Sequence, residues 1–313
     1  MPIETAQPAD GAYPSLTDAV AFREYFEREG YIVVRNALPP EICAEAVDGF
    51  LKEVHLDNRA LFLRQDPSRY EPHVYTLAGH MQHPILNLQD LCGRRYPQFR
   101  AAALALLTDG MLRRAIETLF GAPARLVDSM YFDANQIPWA HRDGRYLDAT
   151  RPDAMIGAWI AAEDVQAGAG RFYVLPRSHL RPASGDAGPH QGGARHKVPT
   201  AEFAAQGPLR QAAPMLKQGD LLLWSAMTVH GSLPTTRAAS SRRSFCGHYI
   251  ARSGLLADRR AGAVVTHGGM EILHHSDPRS LAGRAANLLR AEYPDAYLLL
   301  RRLSQQRPAR PLT

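Results

Sequence analysis

The first third of the chain carries apolar residues at helical spacing. The spacing over 16–26 predicts a helix, and Gly30 marks its end, since glycine commonly follows the last turn of a helix. Tyr31–Val34 is typical of a short strand, and Pro39-Pro40 opens a second helix with apolar positions up to Val54. Two further helices with the same spacing are predicted at about 97–107 and 110–120.

After Gly121 the pattern changes to short apolar or alternating runs separated by Gly- and Pro-rich turns. Five of these runs predict strands: Arg125–Phe132, Ile156–Glu163, Arg171–Leu175, Asp220–Trp224 and Ser244–Ala251. No regular helix separates them, which favours an antiparallel β-sandwich or barrel. Residues 181–197 predict a long loop that could act as a lid, and helical spacing returns at about 278–290 and 294–305.

These elements predict a mainly β protein with flanking helices. No linker is long enough to divide the chain, so we expect a loose arm over 1–14 and a single domain over 15–313. Within the domain we expect a helical part at 15–121, a β core at 122–252 and C-terminal helices at 253–313.

Composition and charge exclude several classes of protein. The 313 residues are 45% hydrophobic and 21% charged, which is typical of a globular chain. The net charge is +5, but the basic residues are scattered and no nucleic-acid motif accompanies them, so we expect no nucleic-acid partner. No apolar run is long enough for a membrane span and no signal peptide is evident. Three scattered cysteines suit a reducing compartment, so we expect a cytoplasmic location.

The sequence His-x-Asp occurs three times among 13 histidines, at His55, His141 and His275. The first occurrence ends an amphipathic helix, and the third precedes Pro278 in the position of a helix cap. The second, His141-Arg-Asp143, lies among the predicted strands. Residues i and i+2 of an extended segment point to the same side, so His141 and Asp143 can face one metal ion.

His230 is the candidate for a third ligand, because it follows the predicted strand Asp220–Trp224 at a turn. Two histidines and one carboxylate with open positions suit non-haem Fe(II) and O₂. Spacing alone leaves other interpretations open. A zinc or manganese hydrolase could use the same three residues, and so could a metal-binding protein without catalytic activity.

An oxygenase of this kind also needs a cation for a dianionic co-substrate, and arginine suits carboxylates through paired hydrogen bonds. Arg237, Arg242 and Arg243 follow His230. Alternation along the strand that begins at Arg242 places Arg242 and His248 on one face and Arg243 on the other. Periodicity does not decide which of the two faces lies inside.

The ordered set of motifs resembles the phytanoyl-CoA dioxygenase family of Fe(II)- and 2-oxoglutarate-dependent oxygenases. The similarity extends over roughly 18–252. It is carried by these segments: Phe22–Val34, His141-Arg-Asp143, Trp159–Asp164, Gly170–His179, Gly219-Asp220, His230-Gly-Ser232 and Arg242–Tyr249.

The resemblance implies a double-stranded β-helix, also called a jelly roll or cupin-like fold. It implies Fe(II) bound by His141, Asp143 and His230, with 2-oxoglutarate held by Arg242 beside Trp159 and Ser232. The implied reaction uses O₂, releases succinate and CO₂, and hydroxylates a small organic molecule, which by analogy is a natural-product tailoring step.

The substrate itself is not evident from the sequence. Arg145, Tyr146 and His248 are the candidate substrate contacts, and they favour a polar or acidic small molecule. The segments at about 60–90, 144–155 and 181–215 are where we expect it to bind.

Overall fold

The structure is a computed structural model that describes residues 13–64, 69–136, 139–143, 154–181, 210–254 and 262–305. Its α-helices are α1 (Ala19–Glu29), α2 (Pro40–Gly49), α3 (Pro97–Leu107), α4 (Gly110–Phe120), α5 (Leu281–Glu292) and α6 (Pro294–Gln305). The first strands are β1 (Tyr31–Val34), β2 (Phe62–Arg64), β3 (Arg69–Glu71), β4 (Ile85–Leu86), β5 (Ala124–Phe132) and β6 (Met155–Ala161). The remaining strands are β7 (Phe172–Val174), β8 (Leu221–Ser225), β9 (His230–Ser232), β10 (Ser244–Ala251), β11 (Ala263–His267) and β12 (Met270–His274).

The helices begin and end where local sequence favours it. The Asp18 carboxylate accepts a hydrogen bond from the backbone N–H of Ala21, which caps α1. The helix ends at Gly30 with φ 78°, a left-handed conformation that glycine adopts without a steric penalty. Helix α2 begins at Pro40, where the missing N–H costs no hydrogen bond. Both predicted helices are therefore confirmed, and the second continues beyond α2 as a π-helical turn over Phe50–Val54.

One large sheet forms the centre of the molecule. Its strands follow the order β1-β8-β6-β10-β5-β12-β11, and β4 pairs with β5 at the side. The pairs from β1 to β5 along this path are antiparallel, whereas β12 joins β5 in parallel. All five strands predicted after Gly121 are present, each within two residues of its predicted bounds, and the predicted strand Tyr31–Val34 is β1.

A second, smaller sheet faces the first. Strands β7 and β9 pair antiparallel, and His141 joins them through backbone hydrogen bonds in both directions with His230. Aromatic side chains from the two sheets, among them Trp159, Phe172 and Trp224, pack together between the sheets. The predicted jelly roll with flanking helices is therefore confirmed.

The helices cover the outer face of the large sheet. Tyr131 of β5 and Phe245 of β10 point outwards and pack on Phe50 and Phe99 from the helical layer. Because the helices occupy this face, the opposite face is left to line the space between the sheets. None of the described helices is long and apolar enough to cross a membrane.

Three features differ from the sequence-based expectation. The segment 253–313 is not only helical, since β11 and β12 form a hairpin before α5. A sequence signal for this hairpin was present, because a Gly-Gly pair between two apolar runs is typical of a tight hairpin turn. In the structure Gly268 and Gly269 have φ 54° and 78°. Short strands β2 to β4 also went unpredicted. Residues 1–12 of the predicted arm lie outside the described residues, while Tyr13 packs edge-on against Tyr25 and Tyr31.

Candidate metal and co-substrate site

The structure brings His141, Asp143 and His230 together, although 89 residues separate the two histidines. One ligand atom from each side chain lies within 4.8 Å of the others, and all three residues are buried. The Nε2 atom of His141 is 3.6 Å from Oδ1 of Asp143, and Nε2 of His230 is 3.5 Å from Oδ2. Atoms at this separation can converge on one ion.

Hydrogen bonds to backbone carbonyl groups fix the orientation of the two imidazole rings. The Nδ1 atom of His141 is 3.1 Å from the carbonyl oxygen of Trp139, and Nδ1 of His230 is 3.0 Å from that of Thr228. A carbonyl only accepts hydrogen bonds, so each Nδ1 carries a proton, and in the neutral ring Nε2 then carries the lone pair. This arrangement orients both rings as metal ligands in advance of binding.

The carboxylate of Asp143 stays ionised in this setting. Burial raises its pKa, but the positive charges that His230 and His248 carry when protonated outweigh burial and hold that pKa below its usual value. The backbone N–H of Asp143 donates to the carbonyl of Ala226 at 2.9 Å, which anchors the end of the segment. Two imidazole nitrogens and one ionised carboxylate form the donor set that non-haem Fe(II) enzymes use. The residues present therefore fit the metal that the sequence implies.

Arg242 lies on the inner side of the sheet and is 2% exposed. Its Nη1 donates to the hydroxyl of Ser232 at 2.6 Å and to the carbonyl of Gly170 at 2.9 Å. The guanidinium also faces the ring of Trp159 at 5.7 Å and that of Phe132 at 5.9 Å. Burial lowers the pKa of Arg242 to about 10, so the side chain still carries its charge at neutral pH.

No carboxylate pairs with Arg242 within the part of the chain that the structure describes, and its Nε has no acceptor there. A buried charge without a counter-ion is costly, so this site suits a bound anion. Ser232 lies two residues beyond His230 on β9, and side chains at this spacing share one side of a strand. The anion site and the metal ligands therefore open into the same space.

Arg243 has a different environment. Its Nε is 3.2 Å from Asp133 and its Nη1 is 3.1 Å from Glu163, so it already has two carboxylate partners. Arg237 is exposed. Of these three arginines, only Arg242 is buried and has no carboxylate partner among the described residues.

The remaining predicted residues are divided between the site and segments outside it. His248 is buried with its Nε2 atom 3.3 Å from Oδ2 of Asp143, so it contacts a proposed ligand rather than open space. Trp159 lines the apolar wall beside Phe172. Arg145 and Tyr146 lie outside the described residues, as does 182–197 of the predicted loop.

Sequence reasoning missed Trp224, whose indole Nε1 donates to Oδ2 of Asp143 at 2.8 Å. It also missed Phe172, whose ring stacks on His230 with centroids 5.4 Å apart. Strand β8 reads Leu-Leu-Leu-Trp-Ser and is buried on both faces up to Trp224. Such a strand gives no alternation signal for the side that faces the site.

Comparisons with known proteins agree with this geometry. A family model described as phytanoyl-CoA dioxygenase matches residues 26–244. No curated protein matches the sequence. Among solved structures, the non-heme alpha ketoglutarate dependent carbocyclase SnoK from nogalamycin biosynthesis is similar, with a TM-score of 0.55 and 19% identity over 79% of this chain and 89% of that chain.

Two further structures share the fold. The epimerase SnoN in complex with Fe3+, alpha ketoglutarate and nogalamycin RO has a TM-score of 0.57 and 18% identity, covering 83% of this chain and 99% of SnoN. EctD from S. alaskensis with 2-oxoglutarate and 5-hydroxyectoine has a TM-score of 0.54 and 18% identity, covering 81% of this chain and 82% of EctD. At these identities the similarity establishes the fold.

Proposed function

Because this chain belongs to the phytanoyl-CoA dioxygenase family, we propose that it is an Fe(II)- and 2-oxoglutarate-dependent oxygenase that hydroxylates a small organic molecule. The observation that carries the proposal is the buried guanidinium of Arg242, which has no carboxylate partner among the described residues, beside the group His141, Asp143 and His230. A metal site alone would fit several reactions. A metal site next to an anion pocket fits an enzyme whose co-substrate is a dicarboxylate.

His141, Asp143 and His230 would hold Fe(II), and iron bound there supplies the O₂ chemistry that protein side chains lack. Arg242 and Ser232 bind the far carboxylate of 2-oxoglutarate, which removes the cost of burying the arginine without a partner. Trp159, Phe172 and Phe132 surround this position with apolar rings. They exclude water, which strengthens the arginine–carboxylate interaction.

A zinc or manganese hydrolase explains less of the site. It would use the same three ligands with a bound water, but it has no need for the buried Arg242 or for its hydrogen bond to Ser232. A metal-binding protein without catalytic activity has no need for them either. The anion pocket therefore favours the oxygenase over both alternatives.

The substrate is a small molecule, and we propose that it is polar. Asp128, with a side chain 18% exposed, lies opposite His248 and adds a polar group to the inner wall. SnoN was crystallised with nogalamycin RO, and EctD with 5-hydroxyectoine, which supports a natural-product tailoring step as the role of this chain too. The alternative of an acidic substrate depends on Arg145, outside the described residues.

Three free cysteines support a cytoplasmic location.

The proposal is tested with purified protein, Fe(II), 2-oxoglutarate, isotopically labelled O₂ and a pool of small polar metabolites. We expect one labelled oxygen atom in succinate and one in a hydroxylated product, both detected by mass spectrometry. A metabolite that is hydrolysed instead, with Zn²⁺ or Mn²⁺ and without 2-oxoglutarate, would support the hydrolase.

A further inference from the structure

One row of residues crosses five strands of the large sheet beside the proposed metal site. The strand register aligns Asp128 of β5, His248 of β10, Gly157 of β6, Trp224 of β8 and Tyr31 of β1. Direct cross-strand partners point to the same face of a sheet, so the side chains of this row share the inner face. At the middle of the row stands a glycine, with His248 on one side and Trp224 on the other.

Two members of the row meet on the same oxygen of Asp143. Trp224 donates its indole N–H to Oδ2 at 2.8 Å, and Nε2 of His248 is 3.3 Å from the same atom. Trp224 is 1% exposed and His248 is 3% exposed. A hydrogen bond to an ionised carboxylate is strong where water is excluded, so these contacts restrict how the carboxylate can turn.

Gly157 makes the position of the indole possible. A Cβ atom at residue 157 would lie 2.2 Å from Cε2 and Cζ2 of Trp224, well inside van der Waals contact. Every other residue type would therefore displace the benzene part of the indole. At the far side of the row, Oδ2 of Asp128 lies 3.5 Å from Nδ1 of His248, on the other edge of the imidazole.

We propose that Trp224 and His248 are positioning residues that orient Asp143 for the metal ion. Both contact Oδ2, to which Nε2 of His230 is also close at 3.5 Å, so they favour Oδ1, 3.6 Å from Nε2 of His141, as the oxygen that binds the ion. Gly157 provides the space that the indole needs. This inference rests on the proposed function, because it takes Asp143 as a metal ligand.

The test measures the affinity of the metal-free protein for Co²⁺ by calorimetry. Trp224→Phe keeps a ring but removes the N–H, and Gly157→Ala displaces the indole without changing either contact residue. We expect each to weaken Co²⁺ binding by about 10- to 100-fold, the usual effect of losing a partner of a metal ligand. His248→Leu should behave in the same way, while His248→Gln should recover part of the affinity because its amide can donate to Oδ2.

Tyr249→Phe is the matched control for a loss of stability alone. Tyr249 is fully buried on the same strand, and its hydroxyl donates to the carbonyl of Leu107 at 2.7 Å on the outer face. This variant should lower the melting temperature and leave the Co²⁺ affinity unchanged. A second control is the double variant, because the smaller ring in Trp224→Phe lacks Cζ2, one of the two indole atoms that lie nearest a methyl group at 157. Gly157→Ala should therefore weaken Co²⁺ binding less in the Trp224→Phe background than in the wild type.

A second readout is the visible absorption spectrum of the Co²⁺-loaded protein, which reports the coordination number of the ion. We expect Trp224→Phe to alter it, because a freed Oδ2 can also reach the ion. Wild-type affinity and spectrum in Trp224→Phe, His248→Leu and Gly157→Ala, with binding lost in His141→Ala, would overturn this inference and leave the metal site intact. A wild-type protein that binds no Co²⁺ would overturn the metal site itself.

Discussion

The guanidinium of Arg242 donates to the hydroxyl of Ser232 at 2.6 Å, and both residues are buried. This bond connects the segment just before β10 to β9, the strand on which His230 lies. It therefore ties the anion pocket to a metal ligand across two sheets. A single dicarboxylate could contact the metal at one end and Arg242 at the other.

Replacing Arg242 should weaken 2-oxoglutarate binding. Arg242→Ala should weaken it by about two to three orders of magnitude, because breaking a buried ion pair costs about 3–5 kcal/mol. Arg242→Lys should recover only part of the affinity, since an ammonium group keeps the charge but cannot reproduce the paired hydrogen bonds of the guanidinium. The measurement is a titration of 2-oxoglutarate into the iron-loaded, oxygen-free protein.

The exposed Arg237→Ala is the control for that titration and should bind 2-oxoglutarate as the wild type does. Iron affinity should change little in Arg242→Ala, because arginine is not a metal ligand. Normal 2-oxoglutarate binding in Arg242→Ala would show that the co-substrate uses another cation.

Arg243→Ala should affect stability rather than co-substrate affinity. Its removal leaves the carboxylate of Asp133, which is 1% exposed, without its arginine partner, and we expect a loss of about 1–3 kcal/mol in the free energy of unfolding. Urea unfolding measures this loss, with Arg237→Ala again as the unperturbed control. A large loss of 2-oxoglutarate affinity at unchanged stability would contradict the assignment of the two arginines.

Removing one metal ligand should abolish iron binding and turnover, whereas His275, from another His-x-Asp sequence, should be dispensable for both. His141→Ala should lose iron binding, because one of the three donor atoms disappears. His275 contacts the carbonyl of Val127 instead, so His275→Ala should bind iron normally. Iron content after reconstitution and desalting measures both variants. Equal iron content in the two would place the metal elsewhere.

Asp143→Gly should lose hydroxylation, because the ion loses the only charged member of its donor set. Product formation under saturating Fe(II) and 2-oxoglutarate measures the effect. Hydroxylation at the wild-type rate would mean that another carboxylate binds the metal.

Acid should destabilise the fold through His73, which is buried and stacks on Phe62 with ring centroids 3.8 Å apart. Burial, together with the positive charge of Arg64, lowers the pKa of His73 from 6.5 to about 3. Between these values the unfolded chain binds more protons than the folded one. The contribution of neutral His73 to the free energy of unfolding is therefore complete above about pH 6.5. It is lost as the pH falls towards about 3, by up to about 1.4 kcal/mol per pH unit.

His73→Gln should flatten this dependence. The measurement is urea unfolding of chelator-treated protein between about pH 7 and pH 5, so that metal binding does not contribute. The exposed His267→Gln should reproduce the wild-type slope. An unchanged slope in His73→Gln would assign the acid sensitivity to other groups.

Much of the fold could be predicted because its long elements carry periodic patterns with clear ends, such as Gly30 after α1 and Pro40 at the start of α2. Short elements such as β2 and β4 have too few residues for a period to show. The hairpin of β11 and β12 was missed although its Gly-Gly turn is a known signal.

The site was predictable in part for a similar reason. His141 and Asp143 share a side through local spacing, whereas the approach of His230 depends on pairing across the fold. Alternation could not separate Arg242 from Arg243, because β10 is buried on both faces for almost its whole length. Contacts such as Trp224 with Asp143 arise only from the register of strands distant in sequence.

The central claim is that this chain consumes 2-oxoglutarate at an iron bound by His141, Asp143 and His230. Succinate formation from 2-oxoglutarate in air tests it most directly, measured for wild type with Fe(II), with Fe(II) plus chelator, and for His141→Ala with Fe(II). We expect succinate in the first sample only. Equal succinate in all three samples, or none with iron-loaded wild type and a full set of candidate substrates, would contradict the claim.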